Sequence, residues 1–378
     1  MKYLKLLLFI TLAGCYSSVS AQLSSADSLY MQANNSADLH VFAARMYFDR
    51  NLSGKALEEL EKAQELYGKI NNTAGQASVL EQFGDFYAGK GYSSEALTSY
   101  QKAFDLSAAG TEQAGNLAYK LASLCYKQKR YDDALKYSIA SSKAFDAAGL
   151  KANAAKAYVL TASIKKQQKN YNEAEDIILK QALPLYRSAD NAEGRTGSFD
   201  VLARTYLDQK RYSEAKWFFI QANTQSRILK DTVGIITSLT NLAKVKNAIK
   251  DYKLALRDLK EAEILAKRTH TTALLADVKT VQTETYARLG YKTAAAGARQ
   301  DVDLLNDSLR QMAHHDSQVA HNAVREMQQQ KQAAEKPVAR HTAVVQNTPI
   351  MYIVIIAVIA IAIILIVILK GRRKLTKG

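Results

Sequence analysis

The residues best able to do chemistry are few, and their spacing does not assemble them. Six histidines and two cysteines occur in 378 residues. His314 and His315 are neighbours and would point to different faces of a helix, and His321 is nearly two turns further on. A metal site on a helix needs inward-facing ligands about one turn apart with carboxylate support, so these histidines read as a solvated polar stretch. Cys125 sits in an apolar pattern, as expected of a buried, inert thiol. Two cysteines can build neither a disulfide scaffold nor a four-cysteine zinc site. The paired carboxylates Glu58-Glu59 and Asp132-Asp133 fall at turns or helix starts, where negative charge complements the helix dipole. There is no glycine-rich phosphate loop, no Gly-x-Ser-x-Gly elbow and no His-Glu-x-x-His. The sequence therefore predicts no catalytic residue, no metal and no cofactor.

What positions the remaining residues is a repeat. Aligned on one alanine, the chain places Ala56, Ala96, Ala134, Ala174, Ala215, Ala255 and Ala295 about 40 residues apart. A tyrosine precedes the alanine in six of these units: Tyr92, Tyr131, Tyr171, Tyr212, Tyr252 and Tyr291. Twelve residues before the alanine comes a small residue, at Ala44, Gly84, Ala122, Ala162, Ala203 and Ala243. Apolar residues recur at three- and four-residue steps between these marks, so each unit predicts two amphipathic helices, A and B, joined by a tight turn. Small residues belong where A and B cross closely. No such pair can bury its apolar face alone, and stacking neighbours does it instead.

These positions resemble the tetratricopeptide repeat (TPR) family. Leu80, Phe83, Gly84, Tyr87, Gly91, Tyr92, Ala96, Tyr100 and Ala103 follow that family's order of large, small and aromatic residues. Phe199, Leu202, Ala203, Tyr206, Tyr212, Ala215, Phe219 and Ala222 repeat it. Two features depart from the family: a period near 40 instead of about 34, and no proline at the repeat junction. The resemblance implies an all-α, right-handed superhelix of about seven helix–turn–helix units over residues 36–305, following a segment 22–35. Residues 306–336 are polar and charged, and read as one exposed helix or a coiled coil with a broken heptad. Residues 337–349 read as a linker.

Both termini read as membrane segments. Lys2 and Lys5 precede a short apolar run, Leu6 to Ala13, that is too short to span a bilayer and reads as an export signal. Two processing sites compete: ordinary cleavage after Ala21 (signal 1–21), or lipobox processing after Gly14 (signal 1–14) with lipidation of Cys15. Residues 350–369 form an uninterrupted apolar stretch that matches the bilayer core. Lys370, Arg372, Arg373, Lys374 and Lys377 follow in the tail 370–378, which places the tail in the cytoplasm and the repeats outside the inner membrane of a bacterial cell. The net charge of +15 suggests nucleic acid at first. However, seven of the 51 basic residues and none of the 36 acidic ones lie in these two ends, so the expected exported part is only mildly basic, and no nucleic-acid partner is predicted.

The order of signal, TPR array, charged helix and single span resembles the outer half of Bacteroidetes-type TPR sensor proteins, in which a kinase or DNA-binding output domain usually follows the span. This sequence stops at Gly378. Two functions stay open: a membrane-anchored periplasmic scaffold that binds a protein or peptide, or the sensing half of a split signalling protein that acts through a separate kinase or regulator. In TPR arrays the A helices line the concave groove. By that resemblance the groove should present Tyr119, Ser123, Lys127, Lys156, Ser163, Lys166, Arg204, Thr240 and Lys244, a basic and polar stripe suited to an acidic or carboxylate-bearing peptide. The triplets that begin at Asp27, Asp231 and Asp307 resemble O-glycan acceptor sites at Ser28, Thr232 and Ser308, or else helix caps. The oligomeric state is not legible.

Overall fold

The computed structural model describes residues 28–335. The expected signal with Cys15, the linker, the span 350–369 and the basic tail lie outside the described residues. Contacts divide the chain into Met1–Met327 and Gln328–Gly378, and of the second unit only the helical residues 328–335 are described. Among the described residues no helix is long and apolar enough to cross a membrane.

The described residues are helical hairpins in sequence order. Helix α1 is described over residues 28–49 and is followed by α2 (Ser53–Lys69), α3 (Thr73–Gly89), α4 (Ser93–Leu106), α5 (Glu112–Lys127), α6 (Tyr131–Ala147) and α7 (Lys151–Gln167). Helix α8 (Tyr171–Ile177) runs through a π-helical turn, Ile178–Ala182, into α9 (Leu183–Ser188). Then come α10 (Ala192–Asp208), α11 (Tyr212–Ile228), α12 (Thr232–Ala248), α13 (Tyr252–Arg268), α14 (Thr272–Arg288) and α15 (Lys292–Glu335). The A helices are α1, α3, α5, α7, α10, α12 and α14. The π turn accompanies Pro184, which has no N–H to give the ladder and crowds the preceding turn.

Each turn from helix A to helix B is built the same way. The residue five before the repeat alanine is left-handed: Asn51, Gly91, Lys129, Lys169, Lys210, Lys250 and Gly290 all have positive φ. The next N–H then reaches back to a carbonyl of the preceding helix, as in Arg130 to Cys125 at 2.9 Å and Arg211 to Tyr206 at 2.8 Å. This is the Schellman closure of a helix end. Several A helices start on a side-chain cap: Asn72 accepts from Gly75 N–H at 2.8 Å, and Asn191 accepts from Gly194 N–H at 2.6 Å.

Six of the seven alanines lie where expected: Ala56, Ala96, Ala134, Ala174, Ala215 and Ala255 are fully buried, whereas Ala295, at the end of the array, is only partly buried. Large rings use the space that small residues leave open: Tyr67 of α2 lies over Gly75, Tyr100 of α4 over Gly84, and Tyr186 of α9 over Gly194. The tyrosine hydroxyls then find carboxylates, Tyr100 with Asp85 and Tyr206 with Glu175, each at 2.7 Å. The largest core cluster joins α7 through α12, with Ile178, Leu202, Phe219 and Val245 fully buried. Cys125 is fully buried and its thiol is pushed up by desolvation, as an inert packing residue should be.

The charged segment after the repeats is not a separate helix. It continues helix B of the seventh unit as α15, from Lys292 without a break. Its far part returns to the first units: Tyr92 donates to the Ser317 carbonyl at 3.0 Å, and Val324 packs against Leu57 and Phe86. The described α15 thus packs on the array itself, and the coiled coil gains no support.

Candidate functional site

The A helices of the third to fifth units frame a cleft of about 440 Å³. Its walls carry Tyr119 from α5, Asn153, Lys156 and Ser163 from α7, Tyr186 from α9, and Asn191, Glu193, Gly194 and Gly197 around the start of α10. Helical spacing accounts for the α7 wall: Asn153, Lys156 and Ser163 fall three and seven residues apart and share one face. Two glycines open the α10 wall. A Cβ at Gly194 would stand 2.1 Å from the Tyr186 ring, whereas a Cβ at Gly197 would meet nothing within 4 Å. Gly194 therefore admits the ring, and Gly197 leaves backbone open to the cleft.

The electrostatics of the cleft centre on Lys156. Its ammonium lies 4.6 Å from the centroid of the Tyr119 ring and has no carboxylate ion-pair partner among the described residues. Tyr119 is held above the ordinary phenol range by desolvation, partly offset by its hydrogen bond with Ser123. Tyr186 is raised further, again chiefly by burial. Both phenols stay protonated at neutral pH and can donate.

Three of the expected groove residues, Tyr119, Lys156 and Ser163, line this cleft, and Ser123 holds the Tyr119 hydroxyl. The others do not form a free basic stripe. Lys166 is tied to Asp208 of α10 at 2.8 Å, and Arg204 pairs with Asp200 on its own helix. Lys244 donates to Asn241 at 3.2 Å and, partly desolvated, titrates below an ordinary lysine. Thr240 is buried and bonds its own helix at Ile236, which removes it from the groove surface. Lys127 is exposed at the end of α5, with no ion-pair partner among the described residues. The acidic partners lie one turn along the same helix or on the neighbouring A helix, so the one-letter pattern of lysines overstated the positive field. Asn153, Tyr186, Asn191 and Glu193 were missed. The two glycines three apart in α10 were the available signal for this wall.

The other candidates are also placed. Asp231 caps α12 by accepting from Gly234 N–H at 3.0 Å, which makes its triplet a helix cap with Thr232 half-buried. Ser28 is exposed on α1 and Ser308 on α15. His40 is bonded to Glu59 at 2.6 Å. Among the described residues no group of three or more metal-ligating side chains converges.

Repeated helix pairs that bury small residues at their crossings and leave a groove along the A helices define a TPR-type array. Solved structures similar to this chain are of that kind. A tetratricopeptide repeat protein from Parabacteroides merdae superposes with a TM-score of 0.55 at 15% identity, covering 76% of this chain and 99% of that one. Aspartyl phosphate phosphatase F from Bacillus subtilis gives 0.56 at 11% identity, covering 77% and 75%. A Rap protein complexed with competence and sporulation factor gives 0.50 at 12% identity, covering 82% and 98%. At such identities the likeness is one of fold. No protein-family model and no curated protein matches the sequence.

Proposed function

We propose that this protein is an interaction scaffold that binds a polypeptide segment in the cleft between α5, α7 and α10. The observation that carries the proposal is the Lys156 ammonium over the Tyr119 ring, without an ion-pair partner among the described residues, in a cleft whose other polar groups are neutral amides and hydroxyls plus one carboxylate. Asn153, Asn191 and Ser163 can both donate to and accept from a peptide backbone. Tyr119 and Tyr186 offer ring faces, and Lys156 suits a carboxylate. A comparable fold is found in the Rap protein complexed with competence and sporulation factor, which supports a polypeptide ligand for an array like this one. In this reading the apolar run 350–369 holds the array on the outer side of the inner membrane, and the ligand is a periplasmic protein.

A photo-crosslinking residue at Ser163 in the full-length chain, followed by mass spectrometry of the adducts, tests this. Adducts with envelope proteins that are lost in Lys156→Glu and Tyr119→Ala are the expected result. Adducts indifferent to both substitutions would overturn the assignment of the cleft. Capture of a kinase or transcription regulator would instead make the chain the sensing half of a signalling pair.

A further inference from the structure

Helix α1 has the sequence of an internal A helix, yet nothing among the described residues covers its outer face. Leu39 is 69% exposed and Phe42 62%, with Met31 and Met46 on the same side. The repeat register explains what such residues are for. Leu39 lies five residues before the small residue Ala44. In the six following units the same position holds Val79, Leu117, Ala157, Ser198, Ser238 and Val278, all at most 2% exposed. Met46 lies two after Ala44, and its counterparts, Phe86, Leu124 and Val245 among them, are buried too. In the second unit the cover is supplied by helix B of the preceding unit: Val79 packs with Leu60 and Tyr67 of α2. An array end facing water is ordinarily polar, and an apolar face this size marks an interaction site.

We infer that α1 is a dimerisation surface and that its occupant is α1 of a second copy of this chain, packed antiparallel about a two-fold axis near the Leu39–Phe42 layer. Two observations select this occupant. Asp38 and Arg45 are both exposed on one flank of the stripe, two turns apart; the Asp38 carboxylate accepts from Tyr67 and Asn34 but has no cationic partner among the described residues, and Arg45 has no ion-pair partner among them. An antiparallel pairing sets same flank against same flank, so Asp38 of each copy comes within reach of Arg45 of the other. Stacking head to tail fits less well. The exposed Leu304 of α15 is flanked by Asp303, Asp307 and Gln311, a polar partner for an apolar stripe. Such a stack would also leave one α1 uncovered at its end, whereas the two-fold arrangement closes.

The test uses the full-length chain in membranes and in detergent. Under mild oxidation Phe42→Cys should give a disulfide-linked species of twice the chain mass, and Thr98→Cys, on the outer face of α4, should not. The native Cys125 is buried and does not compete. Leu39→Glu with Phe42→Glu should raise the dimer dissociation constant ~30-fold or more, the scale of losing a central apolar anchor. Helix content should be unchanged, because both residues are already exposed in the single chain. A charge exchange tests the register. Arg45→Glu alone and Asp38→Lys alone should each weaken self-association, and mixing the two should restore pairing as a heterodimer. A monomeric wild type at tens of micromolar, a Phe42→Cys adduct with a different protein, or mixing without rescue would overturn the inference.

Discussion

Gly194 and Gly197 stand one turn apart on the same wall of the cleft, and alanine at the two positions should have opposite effects. At Gly194 a methyl group would sit 2.1 to 2.4 Å from three carbons of the Tyr186 ring. That ring is 5% exposed and belongs to the same buried core cluster as Leu183 and Phe219, so it has little room to retreat except towards the cleft it lines. Overpacking of this kind costs about 1–3 kcal/mol. The gain in helix propensity, about 1 kcal/mol, offsets part of it, so the net expectation is a loss of up to about 2 kcal/mol. At Gly197 the methyl would meet nothing within 4 Å, so only the propensity term acts, and Gly197→Ala should gain up to about 1 kcal/mol. Urea denaturation followed by helical circular dichroism and by the fluorescence of Trp217, the single tryptophan, on the adjoining α11, would measure both. The two probes together also show whether the array melts as one unit. Equal effects of the two substitutions would refute the reasoning, because the cleft wall would then be soft and Tyr186 free to move. If Gly197→Ala stabilises the chain but weakens capture of the crosslinked ligand, open backbone at 197 serves binding at a cost in stability.

Three further outcomes are expected. Lys246 and Asp258 form an ion pair in which both side chains are under a tenth exposed. Asp258→Asn should therefore cost about 3–5 kcal/mol by stranding the ammonium, while Lys246→Met with Asp258→Leu should come close to neutral; a double-mutant cycle in urea reads both. Glu263 is pushed down to about 2 by Lys267, Lys279 and Gln282, against the opposing effect of burial. Its stabilising contribution is complete above the ordinary carboxylate range and is lost as the pH falls from there towards 2. Glu263→Gln should accordingly flatten the fall in melting temperature between pH 5 and pH 3. At Lys129, Lys169, Lys210 and Lys250 the backbone is left-handed. Glycine at any one should relieve about 1 kcal/mol of strain, reduced by its greater freedom in the unfolded chain, and a destabilisation by all four would refute the turn geometry.

The parts of the fold that were legible from sequence are those that sterics enforces locally. An alanine at a helix crossing tolerates nothing larger, so Ala56 to Ala255 announced the hairpins, and from the second unit onward the tyrosine about one turn before the alanine marked the start of helix B. The left-handed turn residues were hidden, because lysine occupies four of the seven positions and lysine carries no turn signal; the Schellman bond, not the residue type, holds the geometry. The candidate site was half legible. A-helix periodicity found Tyr119, Lys156 and Ser163. It could not see that Asp208 neutralises Lys166, because that ion pair joins stacked units 42 residues apart in sequence; the Asp200–Arg204 pair, four residues apart on α10, was open to a helical-spacing argument that the lysine pattern did not include. Nor could it find Tyr186, which enters the cleft from a B helix after the π turn near Pro184.

The two halves of the array differ in the polar contacts that supplement their apolar packing, and this bears on where a ligand can act. Beneath the cleft the contacts are apolar and continuous from α7 to α12, which gives the binding wall a fixed geometry. From α12 onward the apolar packing continues through Ile236, Leu259 and Val278, and buried polar contacts are added to it. Asn247 is bonded to Thr285 at 2.8 Å, Gln282 to Glu263 at 2.8 Å, and Lys279 bridges Glu263 and Asp301 at 2.9 Å each. Satisfied polar contacts specify a register as strictly as packing does, but each contributes little net stability, and the loss of one partner is costly to the other. The last two units should therefore open before the central ones, which hydrogen exchange of the α13 and α14 amides against those of α7 would show. Because α15 continues from these polar units and returns to Tyr92 and Val324's neighbours Leu57 and Phe86 in the first two, opening at the seventh unit loosens a contact at the opposite end of the sequence. A ligand that tightens α10 against α12 would oppose that opening. On this expectation the central cleft and the far part of α15 are linked through the last units of the array.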